Sequence, residues 1–334
     1  MKKWIVLAAL LTAVIAFCGT WLVLDLIVKT SSPVQQMRQE PVVQQPSAPL
    51  PPVQPQEKQE EALQEVPQEE VPQEEVTQEE VLQEEPVPEK SAKQLLVQHK
   101  IDEFCESHDG QWGICVKGLT DETVDAAGGT SDAMVSASVI KLFVMAAVYD
   151  RVEQGLLDHD QVYRKIYHMI TVSDNYSTNE LIRLLGGGDE AAGMAAVNDY
   201  AASIGCENTR LERLMLVENG LQNYVSAVDC AALLTMIYRG SCVSAEWSAE
   251  MLQILKEQTV RDRIPARLPA DTVCANKTGD LAGLCCADVG IVFTRQGDYI
   301  LCVLSDWPNN AAASIAELSA EIYEAMTVKE EPQE

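Results

Sequence analysis

Histidine is scarce in this chain. Its 334 residues include only His99, His108, His159 and His168, and none of the four forms a metal-binding pair, which leaves them surface or capping roles. The ten cysteines likewise lack the spacing of a tetrahedral zinc site; Cys274, Cys285 and Cys286 come nearest without supplying it. No cofactor is expected. Positive charge is short too, with 24 Lys and Arg against 51 Asp and Glu and a net charge of −27. Nucleic-acid binding needs a basic footprint, so that class of function is excluded.

One apolar run is long enough to matter. Residues 4–24 are almost wholly apolar, and about twenty such residues cross a bilayer as a helix. Lys2 and Lys3 precede the run, and Trp4 and Trp21 stand near its ends, where charge bias and aromatic belts orient a span. The expectation is an uncleaved anchor over residues 1–29 with the rest of the chain extracytoplasmic. A cleaved signal peptide ending near Ala16 is the alternative. Residues 30–93 are rich in Pro, Gln and Glu and contain no aromatic residue. Val66-Pro67-Gln68-Glu69-Glu70 repeats from Val71 and, with drift, from Val76 and Val81. A period of five never builds a helical stripe, and so little apolar surface cannot support a core. This stretch reads as a disordered tether, its ends roughly 45 Å apart as a flexible coil.

The folded part is expected over residues 94–328, followed by an acidic tail at 329–334. Leu95–Ser107 reads as a helix and Gly113–Leu119 as a strand whose hairpin partner begins near Glu122. A long helix is expected from Ser138 to Gln154, and further helices at 161–170, 179–185, 190–204, 227–239 and 245–256. Strands return at 271–276, 288–294 and 299–305, before a last helix at 311–326. Strands and helices at both ends around a helical middle make an α+β plan. Cys115 and Cys302 fall in strand-like runs and Cys230 in a helical one, so they read as small core hydrophobes and not as disulfide partners.

Three short stretches carry the chemistry. Ser138-Val139-Ile140-Lys141, Ser173-Asp174-Asn175 and Lys277-Thr278-Gly279 follow one another in this order. The first alone means little, since ordinary residue usage yields about one S-x-x-K by chance in such a chain. The other two strings are each expected on the order of 0.1 times or less, and each occurs once. Ser138 is the candidate nucleophile, inert until a base takes its proton. Lys141 lies three residues on, along the same helix face, and can act as that base if burial and nearby charge lower its pKa.

The three stretches resemble the motif set of class A β-lactamases and penicillin-binding proteins, and the likeness extends over roughly Leu95 to Met326. It implies a five-stranded antiparallel sheet against an all-helical lobe, with the site at the seam. It also implies that Ser173 relays a proton to the leaving nitrogen, that Asn175 binds a substrate amide, and that Lys277 and Thr278 hold a substrate carboxylate. Gly279 would let the strand approach the ligand, and the N–H of Asp280 would be an oxyanion donor. Asp174 is expected to be structural, and Lys277 to depress the pKa of Lys141.

Three departures from the family bear on turnover. Thr209–Arg213 resembles the entry to the omega loop, but the loop's water-activating glutamate would fall near Met215. Glu218 is the candidate deacylation base if the loop is rerouted. The arginine used in the strand after Lys277–Gly279 is missing, with Val289 close to its place. Ser138 and Ser173 are only 35 residues apart, so one cleft wall is shortened. The resemblance therefore implies a monomeric serine hydrolase, acylated at Ser138 by a β-lactam or a cell-wall peptide amide and slow to deacylate; the apolar run adds the expectation of a single-pass bacterial membrane anchor. The alternatives are a D-alanyl-D-alanine peptidase or transpeptidase, and a catalytically inactive sensor that binds wall fragments or drugs.

Overall fold

The computed structural model describes residues 90–306 and 309–328. The expected membrane anchor and most of the tether lie outside these residues. Among the described residues no helix is long and apolar enough to cross a membrane.

The elements run α1 (Ala92–Ser107), β1 (Trp112–Gly118), β2 (Asp125–Gly129) and β3 (Met134–Val135), then a 3-10 turn at Ala137–Ile140. Next come α2 (Lys141–Glu153), α3 (His159–Thr171), α4 (Asn175–Leu185), α5 (Glu190–Ser203), β4 (Tyr224–Val225), α6 (Ala227–Arg239) and α7 (Ala245–Lys256). After a second 3-10 turn at Ile264–Arg267 the chain closes with β5 (Val273–Leu281), β6 (Cys285–Phe293), β7 (Tyr299–Ser305) and α8 (Ala311–Thr327). Five strands form one sheet in the order β2-β1-β7-β6-β5, every pairing antiparallel.

The sheet is covered on both faces. Alternate strand residues point to opposite sides, and the two cores divide accordingly. Ile114, Val116, Leu301 and Val303 pack with Val97 and Ile101 of α1 and Ile315 and Leu318 of α8. Cys115, Ile300, Cys302 and Leu304 pack with the helical lobe. Cys115 sits opposite Cys302, and both are buried thiols, as expected of small core residues. The centre of the lobe is α2, buried along its length from Lys141 to Tyr149, which is how a helix apolar on all sides behaves.

Three expectations about boundaries at the site are corrected, and one away from it. The long helix starts as a 3-10 turn, so Ser138 precedes the α-helix proper and Lys141 opens it. α4 begins at Asn175, one turn earlier than expected, because Asp174 caps it, accepting from the Ser177 N–H at 2.6 Å. Lys277-Thr278-Gly279 belongs to β5, which runs on to Leu281; the turn falls at residues 282–284. Lys-Thr-Gly has turn chemistry in isolation, but nine paired positions with β6, from Val273 to Leu281, override it. The hairpin partner of β1 likewise starts at Asp125, not Glu122.

Candidate active site

Ser138 lies where the chain leaves β3 and turns into α2. Ala137 has φ +43°, a left-handed conformation uncommon outside glycine. In a 3-10 turn, side chains at i and i+3 eclipse, so Ser138 and Lys141 share a face. A cavity of about 230 Å³ opens here, lined by Ser138, Asn175, Met215, Glu218 and Asp280, among others.

Lys141 is fully buried. Its Nζ donates to the Ser173 carbonyl at 2.7 Å, to Ser173 Oγ at 3.1 Å and to Asn175 Oδ1 at 2.7 Å. Ser173 presents both oxygens because its backbone is left-handed, with φ +57°. Strain of this kind persists where the surroundings enforce it, and here the Asp174 cap does so from the next residue. Hydrogen bonding to Ser177 holds Asp174 below the usual carboxylate range, which fits its expected structural part.

Lys277 reaches the same serine from the sheet. Its Nζ donates to Ser173 Oγ at 3.0 Å and to the Thr278 carbonyl at 2.8 Å. Burial brings the Lys141 pKa down from 10.5 to about 7, with Asp174 opposing. Burial, aided by the charge of Lys141, holds Lys277 well below the ordinary lysine value. The two ammonium groups meet on the same Ser173 Oγ, and like-charge repulsion is mutual, so each favours the neutral form of the other while desolvation is the larger cause for both. An amine with a pKa near 7 is neutral often enough to accept a proton at physiological pH.

Gly279 has a steric reason to be glycine. A Cβ there would meet the Ser136 carbonyl oxygen at 2.7 Å and Val139 Cγ2 at 3.0 Å. Its absence lets β5 close onto the nucleophile turn. Thr278 is buried beside Lys277.

The omega-loop region is stapled by asparagines. Asn179 Nδ2 donates to the Met215 carbonyl at 3.0 Å, and its Oδ1 accepts from the Met215 N–H at 2.8 Å. Asn198 grips Leu211 in the same two-point way. Asn223 accepts from the Glu212 and Arg213 N–H groups and donates to the Arg213 carbonyl. Met215 is buried against the cavity and Glu218 is exposed at it. The loop is therefore fixed at Met215, and no carboxylate stands at that position.

Sequence reasoning gave no role to Arg263. It is buried, and its Nη2 pairs with Asp280 while Nε donates to Cys286 Sγ at 3.3 Å. Its Nη1 is buried without a hydrogen-bond partner among the described residues. Asp288, which burial pushes up to about 6, accepts from the Ile264 N–H at 3.1 Å and so fixes the residue after Arg263. Asp280, 17 residues on in sequence, gave no local cue to this pairing.

A half-buried serine three residues before a buried lysine, with a second serine and a second lysine at the seam of an antiparallel sheet and a helical lobe, defines a serine acyl-transfer fold. The model of the beta-lactamase enzyme family matches residues 96–165 and 162–326, and the chain belongs to that family. It is 25% identical over 253 residues to the extended-spectrum beta-lactamase PER-1 of Pseudomonas aeruginosa, covering 64% of this chain and 80% of the relative. Among solved structures, PBP-A shares the fold with a TM-score of 0.61 at 24% identity, over 69% of this chain and 95% of that one. A mutant of PBP-A, an acyl-enzyme complex with penicillin G, aligns with a TM-score of 0.62 at 23% identity, over 72% and 98%.

Proposed function

We propose that this protein is a serine hydrolase acylated at Ser138 by the amide of a β-lactam. The observation that carries the reading is the pair of hydrogen bonds that Ser173 Oγ receives from Lys141 and Lys277. They connect a base of lowered pKa to a hydroxyl that can pass the proton on. Neutral Lys141 takes the Ser138 proton as Oγ attacks the carbonyl. Collapse of the tetrahedral intermediate breaks the C–N bond, and the proton travels through Ser173 to the leaving nitrogen. Ser138 Oγ has no hydrogen-bond partner among the described residues, and such bonds often tighten only when substrate is bound. Asn175 offers its amide N–H₂ to the substrate, since Lys141 occupies its Oδ1. Lys277 and Thr278 receive the substrate carboxylate, and the Ser138 and Asp280 N–H groups receive the oxyanion. Arg263 supplies positive charge next to Asp280, taking the part of the arginine absent near Val289.

A second reading follows from Met215. With a thioether clamped where the family's glutamate acts, water lacks a base, and the acyl-enzyme outlives the lactam ring opening. This favours a D-alanyl-D-alanine peptidase or transpeptidase. Nitrocefin separates the two: steady rapid turnover supports the hydrolase, while a stoichiometric burst followed by a stall supports the second reading. In the first case Glu218→Gln is expected to slow acyl-enzyme release about 100-fold; an unchanged release rate removes Glu218 as the base. The apolar run at 4–24 and the repeats at 66–85 support a membrane-tethered, extracytoplasmic placement.

Gly279→Ala is expected to slow acylation by roughly 100-fold, because displacing a catalytic group by about an ångström has an effect of that size. Labelling by a fluorescent penicillin measures it. A parental rate would mean that the close approach of β5 to Ser136 plays no part in catalysis.

A further inference from the structure

The chain enters Ser173 from the last turn of α3, and that turn is closed by side chains from another part of the molecule. The last four carbonyls of an α-helix have no partner within it. In α3 the His168 carbonyl takes the Val172 and Asp174 N–H groups. The Ile170 carbonyl instead accepts from Gln258 Nε2 at 2.8 Å. The Thr171 carbonyl accepts from the Thr259 N–H at 3.0 Å and from Thr259 Oγ1 at 2.9 Å. Gln258 is buried and uses both ends of its amide, since its Oε1 accepts from the Val260 N–H at 3.0 Å. A buried polar group satisfied in this way holds its partners in one arrangement. The same segment then crosses to the sheet. Arg261 Nη1 donates to the Cys274 carbonyl of β5 at 3.2 Å, and the Ile264 N–H donates to Asp288 of β6 at 3.1 Å. Residues 258–264 thus strap the lobe to the sheet across the seam where Lys277 meets Ser173.

We propose that Gln258 is a positioning residue for acylation, holding the chain that leads into Ser173 to this strap so that Ser173 Oγ stays between Lys141 and Lys277. This rests on the reading of Ser138 as the acylated residue and extends it to a side chain remote from the reacting atoms. Ser173 needs support from both sides. Its left-handed backbone, with φ +57°, persists only where the surroundings enforce it. Downstream, Asp174 fixes the chain by capping α4. Upstream, Val172 is exposed, so the fixed points on that side are the carbonyls at the end of α3, and the strap holds two of them. Ser173 Oγ lies 3.1 Å from the Lys141 ammonium and 3.0 Å from that of Lys277. A loop released from Gln258 moves this hydroxyl relative to both.

The test is a double-mutant cycle on the full chain, reading the acylation rate constant for benzylpenicillin in the parent, Gln258→Met, Ser173→Ala and the double variant. Methionine keeps an unbranched, flexible side chain but makes neither amide hydrogen bond. Gln258→Met is expected to slow acylation by roughly 10- to 100-fold, the scale of an ångström's misplacement of a catalytic group. In the Ser173→Ala background the same change should slow it by about twofold or less, because the group being positioned is gone. Equal factors in both backgrounds would mean that Gln258 serves the fold alone and would overturn the proposal, as would a parental rate in Gln258→Met. Should Gln258→Met fail to fold, Thr259 carries the test. Thr259→Val removes the hydroxyl bond to the Thr171 carbonyl and keeps the N–H bond, and is expected to be about threefold slower. Thr259→Ser restores the hydroxyl and should match the parent; Thr259→Val at the parental rate would overturn the proposal. A parent that forms no adduct would overturn the reading of Ser138 itself, whereas a parent acylated as fast as every variant overturns only the role of Gln258.

Discussion

Lys141→Ala is expected to slow covalent labelling of Ser138 by about 1,000-fold or more, the upper half of what a positioned general base contributes. The effect is large because, among the described residues, Lys141 alone combines a lowered pKa with a place on the same face of the 3-10 turn as Ser138. Ser173 is a hydroxyl, and Lys277 lies across it, 3.0 Å from its Oγ. The pH profile carries the same claim with a definite sign. Burial brings Lys141 down to about 7, so the neutral, proton-accepting form grows as pH rises through 7. Acylation should therefore fall about tenfold for each pH unit below that value and level off above it. In Lys141→Ala the limb centred near 7 should vanish along with the rate. Labelling at the parental rate, or an unchanged profile, would move the base elsewhere. Lys141→Arg separates charge from basicity: it preserves a cation that cannot deprotonate, and should be as slow as the alanine variant.

Met215→Glu is expected to accelerate release of the acyl-enzyme by about 100-fold. The substitution replaces a side chain at the edge of the cavity while its backbone stays gripped by Asn179 on both sides, so the carboxylate enters a fixed frame. Met215 is buried at the cavity wall, and burial raises a carboxyl pKa towards the range useful for a base. The same burial lowers stability by about 1–3 kcal/mol. On the second reading, pre-steady-state nitrocefin kinetics would show the burst of the parent replaced by sustained turnover. An unchanged release rate would mean that attacking water does not approach along the Met215 wall, and that the acyl group is shielded by something other than a missing base.

Parts of the site were legible because they are local or strictly ordered. Ser138 and Lys141 declare themselves through a three-residue spacing, and Ser173, Asn175 and Lys277 through strings that are rare by chance. Regular elements with clean periodicity were equally legible: α6, α7 and β7 have the expected bounds, Ala227–Arg239, Ala245–Lys256 and Tyr299–Ser305. What stayed hidden depends on partners far along the chain. Lys277–Gly279 reads as a turn until β6 pairs with it. Arg263 looks like a surface residue until Asp280, Cys286 and the Ile264–Asp288 contact enclose it. Asn179, Asn198 and Asn223 resemble solvated polar positions, yet each closes hydrogen bonds to loop backbone 10 to 36 residues away. The departures from the family were visible as missing residues, but only the fold gives their sense. Met215 is held as firmly as a catalytic residue would be, so the change is of side chain and not of loop path.

The central claim is that one hydroxyl, Ser138, attacks a strained amide with Lys141 as base. Intact-protein mass spectrometry after brief exposure to benzylpenicillin tests it most directly. The expected result is a single added penicillin mass, mapped to the peptide carrying Ser138 and absent in Ser138→Ala. An adduct that survives in Ser138→Ala, or no adduct on the parent chain at all, would contradict the account.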